Sequence, residues 1–145
     1  MSTVTAPAAR ENDARKQLVP TAVRRGAWAA NGLFWSAFAV LEAVNHGWVA
    51  GGVAAAFFIA PDLTFLAGVR DAQTVQPGQL PARAVPYYNA AHRALVPLAF
   101  MVLYTVTPPM QWAPLFAGLC GWMAHISIDR AVGYGLRTKD GFQRR

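Results

Sequence analysis

Residues 110–136 read MQWAPLFAGLCGWMAHISIDRAVGYGL, an almost uninterrupted apolar run that carries a histidine and an aspartate in its second half. A run of this length is enough to cross a bilayer, which takes about 20 apolar residues in a helix. Gly121, His125, Asp129 and Gly133 recur every four residues and so share one helix face. Ionisable side chains at that depth are costly and need a partner, a proton, a metal ion or a water-filled cavity. The reading of this segment decides between a soluble bundle and a membrane protein.

The rest of the chain repeats the pattern. Of 145 residues, 54% are hydrophobic and 14% charged, against about 25% charged in an ordinary soluble domain. The polar outer stripe that every helix of a soluble bundle needs is missing from Trp28 to Leu136. Further apolar segments run at about Ala27–His46, Trp48–Val69 and Val85–Thr107. Asn45-His46-Gly47 and Thr107-Pro108-Pro109 supply short turns, and residues 70–84 form the longer central loop. The expected fold is all-α, a four-transmembrane-helix bundle. Residues 1–25 read as a disordered basic N-terminal tail, 26–138 as the four-span membrane domain, and 139–145 as a short basic C-terminal tail.

The net charge of +6 is distributed unevenly. Lys and Arg fall on the two tails, the central loop and the membrane ends beside them, while the two short turns carry none. By the positive-inside rule both termini are cytoplasmic, and the expected location is a multi-pass position in the cell membrane, with the lipid bilayer as partner. No motif for base readout and no alternating aromatic platform accompanies the charge, so nucleic acid is not an expected partner. Trp28, Trp48 and Trp112, near span ends, fit interfacial anchors. Cys120 is the single cysteine, which excludes an intrachain disulfide and a thiolate metal cluster; in an apolar run it reads as a packed, inert thiol.

Asp62, His92, His125 and Asp129 lie on three of the expected spans, each roughly 10–16 Å from the cytoplasmic end at 1.5 Å per residue. Gly51, Ala55, Asp62 and Leu66 make a comparable stripe on the second span, and Asn89 and His92 are one turn apart on the third. Small residues permit close helix approach within a chain or in a homo-oligomer. Imidazole and carboxylate suit zinc, iron or manganese, so Asp62, His92, His125 and Asp129 are candidate ligands of a divalent metal ion, with Asn89 or water at an open position. Such an ion can activate water for hydrolysis, with a spare carboxylate as general base. Arg93 and Arg130 adjoin the cluster and keep a second reading open, in which two arginines neutralise two aspartates and the network only fixes helix register. A proton or solute path is the third. No other cofactor is expected. Glu42 and His46 form a separate i,i+4 pair, and Pro61 and Pro97 predict kinks beside the cluster.

The blocks Ala60-Pro61-Asp62-Leu63, Tyr88-Asn89-Ala90-Ala91-His92, and Ala124-His125-Ile126-Ser127-Ile128-Asp129-Arg130 through Gly133-Tyr134-Gly135-Leu136 are similar to those of an uncharacterised bacterial membrane-protein family, the domain of unknown function 4260. The resemblance covers about residues 30–142. It implies a small integral membrane protein of about four helices, with Asp62, Asn89, His92, His125, Asp129 and Arg130 at motif positions, and no established activity, substrate or cofactor. Where family members usually carry Glu near the start of the first span, this chain has Asn31.

Overall fold

A computed structural model describes residues 20–108 and 111–144. Among these the fold is all-α, with four α-helices and no strand, the only β-type pairing being an isolated bridge between Arg137 and Gln143. Helix α1 spans Thr21–Ile59 and passes directly into a 3₁₀ helix, Ala60–Thr74; α2 is Val85–Ala91, α3 Leu95–Val106 and α4 Ala113–Val132. Most of the expected tail, residues 1–19, lies outside the described residues. Thr21–Arg25, read from sequence as the end of that tail, is instead the opening of α1. The gain is tertiary: the Arg25 guanidinium donates from Nε to the Ala131 carbonyl at 2.6 Å, satisfying an acceptor at the end of α4.

Helix α1 is two limbs. Gly47 stands at φ 77° and ψ −169°, a backbone conformation that a Cβ would strain, so glycine is the residue that can reverse the chain there. The first limb then runs antiparallel to α4, with Gly32 beside Ser127 and Ile128. The second runs parallel to it, with Ala54 beside Gly121 and Val53 and Phe57 beside Gly118. The limbs meet each other where Gly51 approaches Ala43. The turn expected at Asn45–Gly47 is therefore present as a bend inside one continuous helical segment.

Helix α4 is the core. Eleven of its residues are buried, from Pro114 through Ser127, on all sides of the helix. It is enclosed by the two limbs of α1 and by α3, through Met101, Leu119, Cys120 and Met123. Ala50, Ala54 and Ala117 form the tightest seam. The seam on the second limb is thus Ala50 and Ala54, one position off the expected Gly51 and Ala55; Ala55 and Leu66 are exposed. Backbone approach explains the choice: the Gly121 position lies so close to the Ala54 carbonyl that a Cβ there would collide with it.

The third expected span is broken into α2 and α3 at His92–Ala94. Pro97 has no N–H for the Arg93 carbonyl and its ring crowds that carbonyl, so the helix must restart one turn upstream. The Pro97 kink is therefore a full interruption. The C-terminal residues form a small turn that docks on the central loop: Leu80 N–H donates to the Gly141 carbonyl at 3.0 Å and Thr138 N–H to Phe142 at 2.7 Å. Gly141 holds φ 86°, with its Cα against the Leu80 backbone.

By length and composition, one helical segment is able to cross a membrane, Thr21–Thr74, with mean hydropathy 1.7 in its most apolar stretch. Many large apolar side chains face outward, among them Leu33 (74% exposed), Val44 (75%), Trp48 (88%) and Leu95 (75%).

Candidate metal centre

The break in the third span creates the site. With no helix continuing past it, the last carbonyls of α2 lose their usual N–H partners, and α4 supplies replacements. The Trp122 indole donates to the Ala91 carbonyl at 2.7 Å, and Arg130 donates from one terminal nitrogen to the His92 carbonyl at 3.0 Å. The second bond is charge-assisted and correspondingly strong. Arg130 also donates to the Tyr134 carbonyl, across the turn that ends α4. There Gly133 is left-handed at φ 103°, and the Gly133 and Tyr134 N–H groups return to Arg130 and Asp129, the paired bonds of a Schellman ending.

Held in this way, His92 is almost fully buried. Its Nδ1 lies 2.9 Å from the Tyr88 carbonyl. A carbonyl only accepts, so Nδ1 carries the proton and Nε2 presents a lone pair. That Nε2 is 3.2 Å from His125 Nε2, 3.6 Å from Asp62 Oδ1 and 3.5 Å from Asp129 Oδ2. His125 Nε2 is in turn 3.6 Å from Asp62 and 3.7 Å from Asp129. Tyr88 stacks on the His92 ring with centroids 3.8 Å apart, and Phe58 meets His125 edge-on at 5.4 Å. Both rings are thereby fixed in orientation.

Three of the four sequence-predicted ligands, Asp62, His92 and His125, therefore converge on one point, and Asp129 lies beside the two histidines, although they come from the 3₁₀ helix, the α2–α3 break and α4. Asp62, His92 and His125 each offer one ligand atom within 4.8 Å of the others. Donors about 2.0–2.2 Å from a tetrahedral ion are about 3.3–3.6 Å apart. The three observed separations match this, and a point equidistant from the three atoms lies about 2.0 Å from each. The His92 Nδ1–carbonyl bond is the outer-sphere contact that metal-binding imidazoles ordinarily make. Burial is graded: the histidine side chains are 2% and 7% exposed, Asp129 23% and Asp62 51%. The cluster thus opens to its surroundings on the Asp62 side.

The supporting residues divide. Arg130 braces His92 through its backbone. Among the described residues the carboxylates of Asp62 and Asp129 make their direct ion-pair contacts with the histidines and with no arginine, while the Arg130 charge acts on Asp129 at longer range. Arg93 is exposed at the break. Asn89 faces away from the cluster, its amide donating to the Arg137 carbonyl at 3.0 Å and accepting from the Arg137 N–H at 2.7 Å. It pins the C-terminal turn rather than filling a coordination position. The residues sequence reasoning missed are Tyr88, Trp122 and Phe58. Tyr88 had a signal, standing one turn before His92; Trp122 and Phe58 had none, since their partners are distant in the chain. Glu42 and His46 do pair, at 3.3 Å, far along α1 from the centre.

Residues 28–145 match the family described as Domain of unknown function (DUF4260), which takes in every side chain of the centre. The chain belongs to that family. No curated protein and no solved structure matches it. In this DUF4260 chain Asp62, His92, His125 and Asp129 form the cluster, Arg130 supports it, and Asn31 donates to Ser127 Oγ at 2.7 Å, one helix face away from the centre.

Proposed function

We propose that this protein is a multi-pass protein of the bacterial inner membrane that holds one divalent metal ion near its cytoplasmic end and uses it for hydrolytic chemistry. The carrying observation is the triangle of His92 Nε2, His125 Nε2 and Asp62 Oδ1, whose 3.2–3.6 Å edges suit a first-row ion with nitrogen and oxygen ligands. Such an ion polarises a bound substrate and makes bound water a nucleophile near neutral pH. Asp129, beside both imidazoles, would serve as a further ligand or as a proton acceptor there. The half-exposed Asp62 marks the side from which substrate enters.

The apolar segment Thr21–Thr74, long enough to cross a membrane, supports the membrane assignment; in the four-span reading its two limbs, the broken pair α2 and α3, and α4 at about 30 Å for its 20 residues would be the crossings. Outward-facing Leu33, Val44 and Leu95 suit a lipid-facing surface. Arg24, Arg25, Arg130 and Arg144 gather at the end where α1 begins and α4 finishes, which the positive-inside rule would make cytoplasmic.

The test is elemental analysis of full-length protein purified in detergent. One zinc, iron or manganese ion per chain is expected, lost from both His92→Ala and His125→Ala. A folded wild-type protein that carries no metal and takes up none on titration would mean that the cluster is a hydrogen-bonded support for helix packing. Carbonate extraction of membranes separately tests the bilayer assignment.

A further inference from the structure

Beyond the metal centre, the cytoplasmic end holds a cavity of about 940 Å³ whose walls include four arginines, Arg24, Arg25, Arg130 and Arg144, and, among the described residues, no carboxylate. Gathering four cations on one concave surface is repulsive unless an anion joins them. One cation at the end of α4 is accounted for by the helix dipole, and Arg25 fills that place through its bond to Ala131. Arg130 and Arg144 each spend part of their donor set on backbone carbonyls. A guanidinium carries five N–H groups, so donors remain on each of these for a ligand. The forked geometry of arginine suits phosphate oxygens in particular.

A second hollow of about 570 Å³ begins where the first ends, and Arg24 and Trp28 line both. This one is apolar. It runs between α1 and α3, past Ala27, Trp35, Leu95 and Leu98 to Met123. Its other polar residue, Asn31, has its amide committed to Ser127. A basic chamber continuing into an apolar groove is complementary to a molecule with a phosphate at one end and a hydrocarbon chain at the other. Arg24 sits at the junction, where its stem can lie along the groove and its head reach the chamber.

We propose that these two hollows are one binding site for an anionic phospholipid, with the phosphate held among Arg24, Arg25, Arg130 and Arg144 and one acyl chain lying in the groove between α1 and α3. The site rests on the membrane assignment above and does not require a metal ion to be bound. Arg130 belongs to this site and to the metal centre, so lipid occupancy steadies the residue that holds the His92 carbonyl.

Native mass spectrometry of the full chain in detergent, offered equal amounts of phosphatidylglycerol and phosphatidylcholine, tests it. Retention of the anionic lipid at least about fivefold above the zwitterionic one is expected, the contribution of a single arginine at a lipid surface. Arg24→Gln should lower that preference about fivefold. Leu98→Trp, which fills the groove, should lower retention while leaving the arginines in place. Equal retention of the two lipids, displacement of lipid by millimolar inorganic phosphate, or unchanged binding in both variants would overturn the proposal. Metal content measured on the same samples and carbonate extraction report the other two readings separately, so their failure is distinguishable from failure of this one.

Discussion

His92 and His125 face each other through their Nε2 atoms at 3.2 Å, and the Tyr88 carbonyl fixes the proton of His92 on the opposite nitrogen. Two imidazole nitrogens at that distance need something between or on them. A proton on His125 gives one hydrogen bond; a metal ion would satisfy both lone pairs together with Asp62.

The two histidines should therefore act as a unit in binding. Zinc titration against a competing chelator should show His92→Ala and His125→Ala each weakened by more than about 100-fold, since loss of a ligand costs more than loss of an outer contact. Wild-type affinity in either variant would remove the site as drawn.

The two aspartates should differ. Asp62 closes the ligand triangle, while Asp129 stands beside both imidazoles without belonging to it. Asp129→Asn is expected to cost about 10–100-fold in metal affinity, the range of an outer-shell change, and Asp62→Asn more. The reverse order, measured in the same titration, would make Asp129 the principal carboxylate ligand.

Trp122→Phe keeps the aromatic bulk and removes only the indole donor to Ala91. An orphaned, part-buried carbonyl costs about 1–3 kcal/mol, so the thermal transition in detergent should fall. Metal affinity should fall with it, because the same break carries His92. A variant as stable as wild type would show that the interruption needs no support from α4.

Gly121→Ala adds one methyl group against the Ala54 carbonyl. Over-packing of this kind costs about 1–3 kcal/mol, and more where backbone must move. Gly52 has open space around its Cβ position, so Gly52→Ala should instead gain about 0.5–1 kcal/mol from helix propensity. Melting curves of the two variants should move in opposite directions; a shared direction would refute the close approach of α1 and α4.

Asn89→Ala removes both bonds to the Arg137 backbone. The C-terminal turn should become susceptible to limited proteolysis near Arg137 while metal content stays at the wild-type level. Loss of metal in this variant would return Asn89 to the coordination sphere.

Much of this architecture was legible in the chain. Apolar runs and their punctuation located the helical segments, and Gly47 marked the reversal because only glycine tolerates its backbone angles. The i,i+4 spacing of His125 and Asp129 put both on one face, and a common distance from the basic ends brought Asp62 and His92 to the same level. The family resemblance rested on those same blocks. These are properties of local periodicity and charge, which a sequence records directly.

Other features depended on which surfaces met. The seam fell on Ala50 and Ala54 rather than Gly51 and Ala55 because rotation of a helix is set by the neighbour it packs on, here Gly121. Pro97 predicted a kink, yet the full break at His92–Ala94 is stable because Trp122 and Arg130, more than thirty residues downstream, take up its carbonyls. Asn89 left the centre for Arg137 for the same reason, a better partner from a distant segment. The sequence by itself determined where the apolar segments run and which ionisable residues interrupt them, because apolar length and spacing are local quantities. Only the tertiary structure decided the angle at which those helices face one another, and with it the 3.2–3.7 Å separations that gather four scattered side chains into a candidate metal site.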